Sequence, residues 1–118
     1  MKPLFSRFMV IMLLMLFMGS TMPQTGTASF YGPESRGRPT ASGERFNPSA
    51  MTAAHKSLPF GAWVRIQASG QSPRFVDVRI NDRGPFIRGR ELDLSPAAFK
   101  RLAPLSRGVV NVKYWRIK

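Results

Sequence analysis

Three carboxylates in this sequence sit where a chain could put an acid to work: Glu44, Asp82 and Asp93. Glu44 follows Ala41-Ser42-Gly43, and the glycine lets the backbone turn and present the acid from a loop. Asp82 ends an alternating stretch at Asn81-Asp82-Arg83-Gly84-Pro85-Phe86, and strand ends are where barrels place functional groups. The same residues also read as a capped turn, with Asp82 accepting backbone amides and Arg83 balancing its charge. Asp93 lies between Leu92 and Leu94, so its carboxyl either accepts strong hydrogen bonds or holds its proton above the usual range. A held proton is what a general acid needs near neutral pH. The remaining acids have simpler readings. Asp77 alternates outward and pairs with Arg65 or Arg79, while Glu34 and Glu91 sit beside arginines as solvated charges.

His55 is the only histidine, and there is no cysteine. It can orient a carboxylate or a sugar hydroxyl, or it can be a satisfied structural group whose protonation Lys56 opposes. A metal site needs more ligands than this, so the domain is expected to work without metal or organic cofactor. The serines have neither a second histidine nor a Gly-x-Ser-x-Gly elbow, and no glycine-rich phosphate loop is present. Carboxylate-plus-histidine acid/base chemistry on a neutral or polyhydroxylated substrate is what remains. Phe30, Tyr31, Trp63 and Phe86 offer an apolar platform for sugar rings, or equally a core.

The elements that must position these groups are short strands. Thr25 to Tyr31 is strand-like and ends at Gly32-Pro33. Residues 32 to 50 carry three glycines and three prolines, the mark of a long structured loop. Val64, Ile66 and Ala68 alternate with Trp63, Arg65 and Gln67. Val76, Val78 and Ile80 alternate with Asp77, Arg79 and Asn81, and the turn between predicts a hairpin. Leu92 to Leu94 is another short strand. Ser95-Pro96 predicts a helix start over Ala97 to Leu102, stopped by Pro104, and Val109 to Ile117 is the last strand. Short strands and one short helix around Val, Ile and Leu predict an all-β fold, a small barrel.

Ahead of this domain, Lys2 and Arg7 precede an uninterrupted apolar run from Phe8 to Met18, followed by Gly19, Ser20 and Thr21. That order predicts a signal peptide over residues 1–24 and a single domain over 25–118. The run falls short of the about 20 residues a spanning helix needs. Without a cysteine, a lipid anchor is not expected, and the protein is expected in the periplasm or secreted, as a monomer. The chain carries 18 basic and 6 acidic residues, net +12; losing Lys2 and Arg7 leaves 16 minus 6, or +10. In an exported domain this charge favours anionic wall polymers or simple solubility, and nucleic acid is not the expected partner.

Five ordered blocks resemble one family. They are Gly26-Thr27-Ala28-Ser29-Phe30-Tyr31-Gly32, Gly37 to Glu44, Met51 to Pro59, Val78 to Phe86 and Leu92-Asp93-Leu94-Ser95. Together they resemble the rare lipoprotein A family of septal-ring lytic transglycosylases. The resemblance implies a six-stranded double-psi β-barrel with one short helix, related to expansins. It implies endolytic cleavage between N-acetylmuramic acid and N-acetylglucosamine in peptide-poor glycan, with a 1,6-anhydro product. It places the family's acid at Glu44, its histidine at His55 and its Asn-Asp-Arg-Gly-Pro aspartate at Asp82. An acid before Leu-Ser in the expansin relatives points to Asp93. Tyr31, Phe30, Arg83 and Phe86 are the expected substrate contacts, although Arg83 reads as well as a structural pair. Phe30 stands where many members have Trp, and Ser42 where Asn is usual. A non-catalytic, expansin-like glycan binder is the alternative on the same barrel.

Overall fold

A computed structural model describes residues 22–70 and 73–118; the expected leader lies outside them except for its last three residues. The strands are β1 (Gln24–Phe30), β2 (Thr52–His55), β3 (Trp63–Ala68), β4 (Phe75–Asp82), β5 (Leu92–Leu94) and β6 (Val110–Arg116). Among the described residues one α-helix, of five residues, α1 (Pro96–Lys100), follows β5. The strands close into a barrel in the order β1-β5-β2-β4-β3-β6. Two neighbouring pairs, β1 with β5 and β2 with β4, run parallel. The other pairs are antiparallel. Closure leaves no unpaired sheet edge for another chain to extend.

The alternation in the sequence sets which side chains fill the barrel. Val64, Ile66, Val78 and Ile80 are fully buried, and the β3–β4 hairpin sets Val64 opposite Val78 and Ile66 opposite Val76. On the outward face Arg65 and Asp77 form a two-pronged pair, Nε–Oδ1 2.8 Å and Nη2–Oδ2 3.0 Å. Asp77 thus takes the first of its two expected partners. Phe99 of α1 plugs the barrel and meets Phe30 at 4.8 Å between ring centroids. Ser95 caps that helix, its hydroxyl accepting from the Ala98 amide at 3.1 Å while donating to the Ala50 carbonyl. The regular helix ends at Lys100 rather than Leu102; residues 101–103 continue as a turn.

Two features depart from the alternating pattern. β2 went unassigned in the sequence because Thr52-Ala53-Ala54-His55 is buried at every position, so no period of two is visible. Asn81, expected on the outward face of β4, is buried as well. The burial of Asn81 follows from a bulge. Ala53 pairs with Ile80, but the next residue, Ala54, pairs with Asp82, leaving Asn81 as the extra residue.

Candidate active site

That bulge sets the site. By pairing with Ala54, Asp82 enters a cross-strand row that runs over four neighbouring strands. Asp82 is opposite Ala54, Ala54 is opposite Asp93, and Asp93 is opposite Ser29. Cross-strand partners share a face of the sheet, so two carboxyls stand on either side of an alanine too small to fill the space between them. The row opens into a cleft of about 360 Å³ whose walls include Ser29, Tyr31, Asp82, Asp93, Phe86 and Arg90. Just past β4 the chain turns away at Gly84, whose φ of 119° is open to glycine but rarely to other residues. Phe86 follows it and stands out at 82% exposure beside the cleft.

The two acids meet different surroundings. Asp82 accepts three hydrogen bonds: Oδ1 from the amides of Ala41 (2.8 Å) and Arg83 (2.9 Å), and Oδ2 from the Tyr31 hydroxyl (2.5 Å). Every one of these partners is a donor, so Asp82 is used as an acceptor. Burial, and then the bond to Asp82, push the Tyr31 phenol far above its ordinary range, which keeps it a donor. Its ring stacks on Phe46 at 4.2 Å. Among the described residues Asp93 has a single side-chain partner, the Ser29 hydroxyl at 3.1 Å. Burial raises its carboxyl above the usual range; the Ser29 bond and Arg90 oppose the shift, and the neighbouring Asp82 carboxylate adds to it. Divergent environments on adjacent carboxyls are how one site separates a proton donor from an acceptor.

Glu44 and His55 are not part of this cleft. Glu44 points outward and forks onto Arg79, Oε2–Nη1 2.6 Å and Oε1–Nη2 2.7 Å, and that guanidinium holds its carboxyl below the ordinary value. The link to the site is through the backbone. Gly43, at φ 95°, closes a turn in which the Thr40 amide and hydroxyl both donate to the Glu44 carbonyl. That turn presents the Ala41 amide to Asp82.

His55 is buried, and both ring nitrogens are engaged. Nδ1 accepts from the amides of Ser57 (3.1 Å) and Leu58 (3.0 Å), so the ring proton is on Nε2, which faces the Tyr114 hydroxyl at 3.2 Å. Tyr114 donates onward to Gln24 (3.0 Å) or Glu91 (3.2 Å). His55 therefore fixes the loop after β2. Arg83 does likewise, donating to the carbonyls of Leu58 (2.8 Å) and His55 (3.3 Å) with its guanidinium 4.0 Å from the Phe60 ring centroid. Phe30 touches both the cleft and the Phe99 plug. Of the four acid/base candidates, then, the fold gathers Asp82 and Asp93. Ser29 and the Tyr31 hydroxyl join them, and neither role was marked in the sequence.

The His55 arrangement predicts a pH-dependent stability. Burial lowers its proton affinity in the fold, against about 6.5 when unfolded. The stability that neutral His55 contributes is complete above about 6.5 and is lost as pH falls through the depressed folded value. Urea midpoints between pH 7 and 5 should fall in the wild type and fall less in His55→Asn, whose Oδ1 can replace the Nδ1 acceptor. Parallel slopes would remove the histidine from this role.

A family model described as lytic transglycolase matches residues 23–114. The chain belongs to this family. Its fold is the double-psi β-barrel, and the rare lipoprotein A-like membership expected from the five blocks holds. A protein of Nostoc named probable endolytic peptidoglycan transglycosylase RlpA is 58% identical over 90 residues, 75% of this chain and 24% of the relative. The endolytic peptidoglycan transglycosylase RlpA of Neisseria meningitidis is 45% identical over 94 residues, 80% of this chain and 39% of the relative. The chain thus spans well under half the length of the relatives it matches. The expansin of Clavibacter michiganensis superposes with a TM-score of 0.64 at 20% identity, over 82% of this chain and 51% of that one, which shows a shared barrel.

Proposed function

We propose that this chain is an endolytic peptidoglycan lytic transglycosylase, cleaving between N-acetylmuramic acid and N-acetylglucosamine in glycan poor in stem peptides. The reading rests on one observation above the others: Asp82 and Asp93 share a cleft while their environments differ. Asp93 retains its proton and gives it to the bridging oxygen as that bond breaks. Positive charge then develops at the anomeric carbon and ring oxygen, and the Asp82 carboxylate stabilises it. Asp93, now a carboxylate, takes the proton of the muramyl C6 hydroxyl as that oxygen closes on the anomeric carbon. One proton leaves Asp93 and one returns, so the product is a 1,6-anhydro ring and no water is consumed. Tyr31 orients Asp82, Ser29 orients Asp93, and Phe86 offers a face to the sugar. Family membership, and the names of the relatives at 45–58% identity, support the substrate.

A wall substrate also fits the expected leader over residues 1–24 and work in the periplasm or beyond. Digestion of peptide-free glycan followed by mass spectrometry tests the reaction. Anhydro ends are expected. Reducing ends would mean hydrolysis instead, and binding without any cleavage would leave an expansin-like binder on the same barrel.

A further inference from the structure

The acid cleft is not the roomiest concavity among the described residues. A groove of about 530 Å³ lies on the barrel wall where β3, β4 and β6 adjoin, lined by Met51, Arg65, Phe75, Asp77, Arg101 and Trp115. It shares no residue with the cleft that holds Asp82 and Asp93. The strand register builds it. Asp77 pairs with Arg65, and Arg65 pairs with Trp115, so acid, guanidinium and indole form one outward row. Phe75, one position on along the same face of β4, is 52% exposed.

We infer that this groove is a second glycan site, one that holds the polymer to the barrel while the acid cleft cuts. The inference rests on the proposed substrate and extends it. Three observations select a carboxylate-bearing glycan. First, two aromatic faces beside convergent polar groups suit a ligand with apolar ring faces and polar edges. Second, the Arg65–Asp77 pair uses two of the roughly four acceptor positions on the carboxylate, so donors and acceptors for sugar hydroxyls are both present. Third, Arg101 is exposed and has no ion pair among the described residues. It can meet the free lactyl carboxylate of a peptide-stripped muramyl unit. A polyphosphate chain fits less well, because Asp77 would face its charges. The groove carries two arginines against one aspartate, the same sign as the chain's net +12.

Retention and cutting separate in one experiment. Wild type, Phe75→Ala and Arg101→Glu are compared for co-sedimentation with insoluble peptide-free glycan and for cleavage of a short soluble muramyl oligosaccharide that needs only the cleft. Each substitution is at the surface and should leave the melting temperature unchanged. Apparent affinity for insoluble glycan should weaken about three- to ten-fold in each variant, with a smaller salt dependence in Arg101→Glu. Cleavage of the short oligosaccharide should stay at the wild-type rate. Unchanged sedimentation of both variants would overturn the inference. If wild type fails to cut the oligosaccharide while the variants still lose sedimentation, the transglycosylase reading falls and the groove remains.

Discussion

Asp93→Asn is expected to abolish most turnover and, at neutral pH, to make the protein more stable. The two effects share one cause. Asp93 sits among buried leucines, and its burial is what raises its proton affinity. A positioned general acid contributes about 10²–10⁴-fold to rate, and an amide has no proton to give, so kcat should fall by that order. The sign of the stability change follows from the same shift. The folded carboxyl holds its proton more tightly than the unfolded one, so ionising it costs folding free energy. That cost is absent below about pH 3.8, where the group is protonated in both states, and grows above it until pH has risen through the folded value. Asn carries no charge at any pH and escapes it. The melting temperature of the variant should exceed that of the wild type at pH 7 and converge with it in acid. The wild-type rate should also decline on the alkaline side as Asp93 loses its proton. A variant that is inactive and less stable at pH 7 would mean Asp93 is held by bonds to its charged form, and the proton donor would have to be sought elsewhere.

Most of the barrel was legible because burial imposes a period of two. Val64, Ile66, Val78 and Ile80 announce the hairpin, and Ser95-Pro96 announces the helix start. β2 was not, since a strand buried on both faces shows no period. The site was legible in its acids but not in their grouping. Glu44, His55, Asp82 and Asp93 all lie in the blocks that resemble the family, yet which of them converge depends on a bulge of one residue opposite Ala54. Nothing in Ile80-Asn81-Asp82 signals which residue is skipped. The pairing of Glu44 was open for a similar reason. Arg65 and Arg79 lie two positions apart on one face, and only the register assigns Asp77 to the first and leaves Arg79 for Glu44. His55 shows the limit of residue type as a guide. The imidazole that suits acid/base work is, in this fold, a hydrogen-bonding post between two amides and a tyrosine.

Asp82→Ala should lose both activity and the shape of the cleft, and Asp82→Asn separates the two. The carboxylate has two tasks on two oxygens. Oδ1 gathers the Ala41 and Arg83 amides, which ties the loop around Gly43 to the end of β4. Oδ2, with Tyr31 on it, faces the cleft. Alanine strands both amides. Water can reach the exposed Ala41 backbone, whereas Arg83 is partly buried, so about 1–3 kcal/mol of stability should go, mostly from Arg83. Asparagine keeps a carbonyl oxygen for both amides and turns its NH₂ toward Tyr31, whose hydroxyl can accept instead of donate. Its stability should therefore stay near wild type. Its charge is gone, however, and a preorganised group facing developing positive charge is worth about 10²–10³ in kcat. Both variants should thus be slow by that factor on peptide-free glycan, with only alanine unfolding at lower urea. The comparison turns on charge alone in Asn and on charge plus anchoring in Ala. Wild-type turnover in Asp82→Asn would show that the reaction never draws on the carboxylate's charge, and Asp82 would be left as the clasp of a loop.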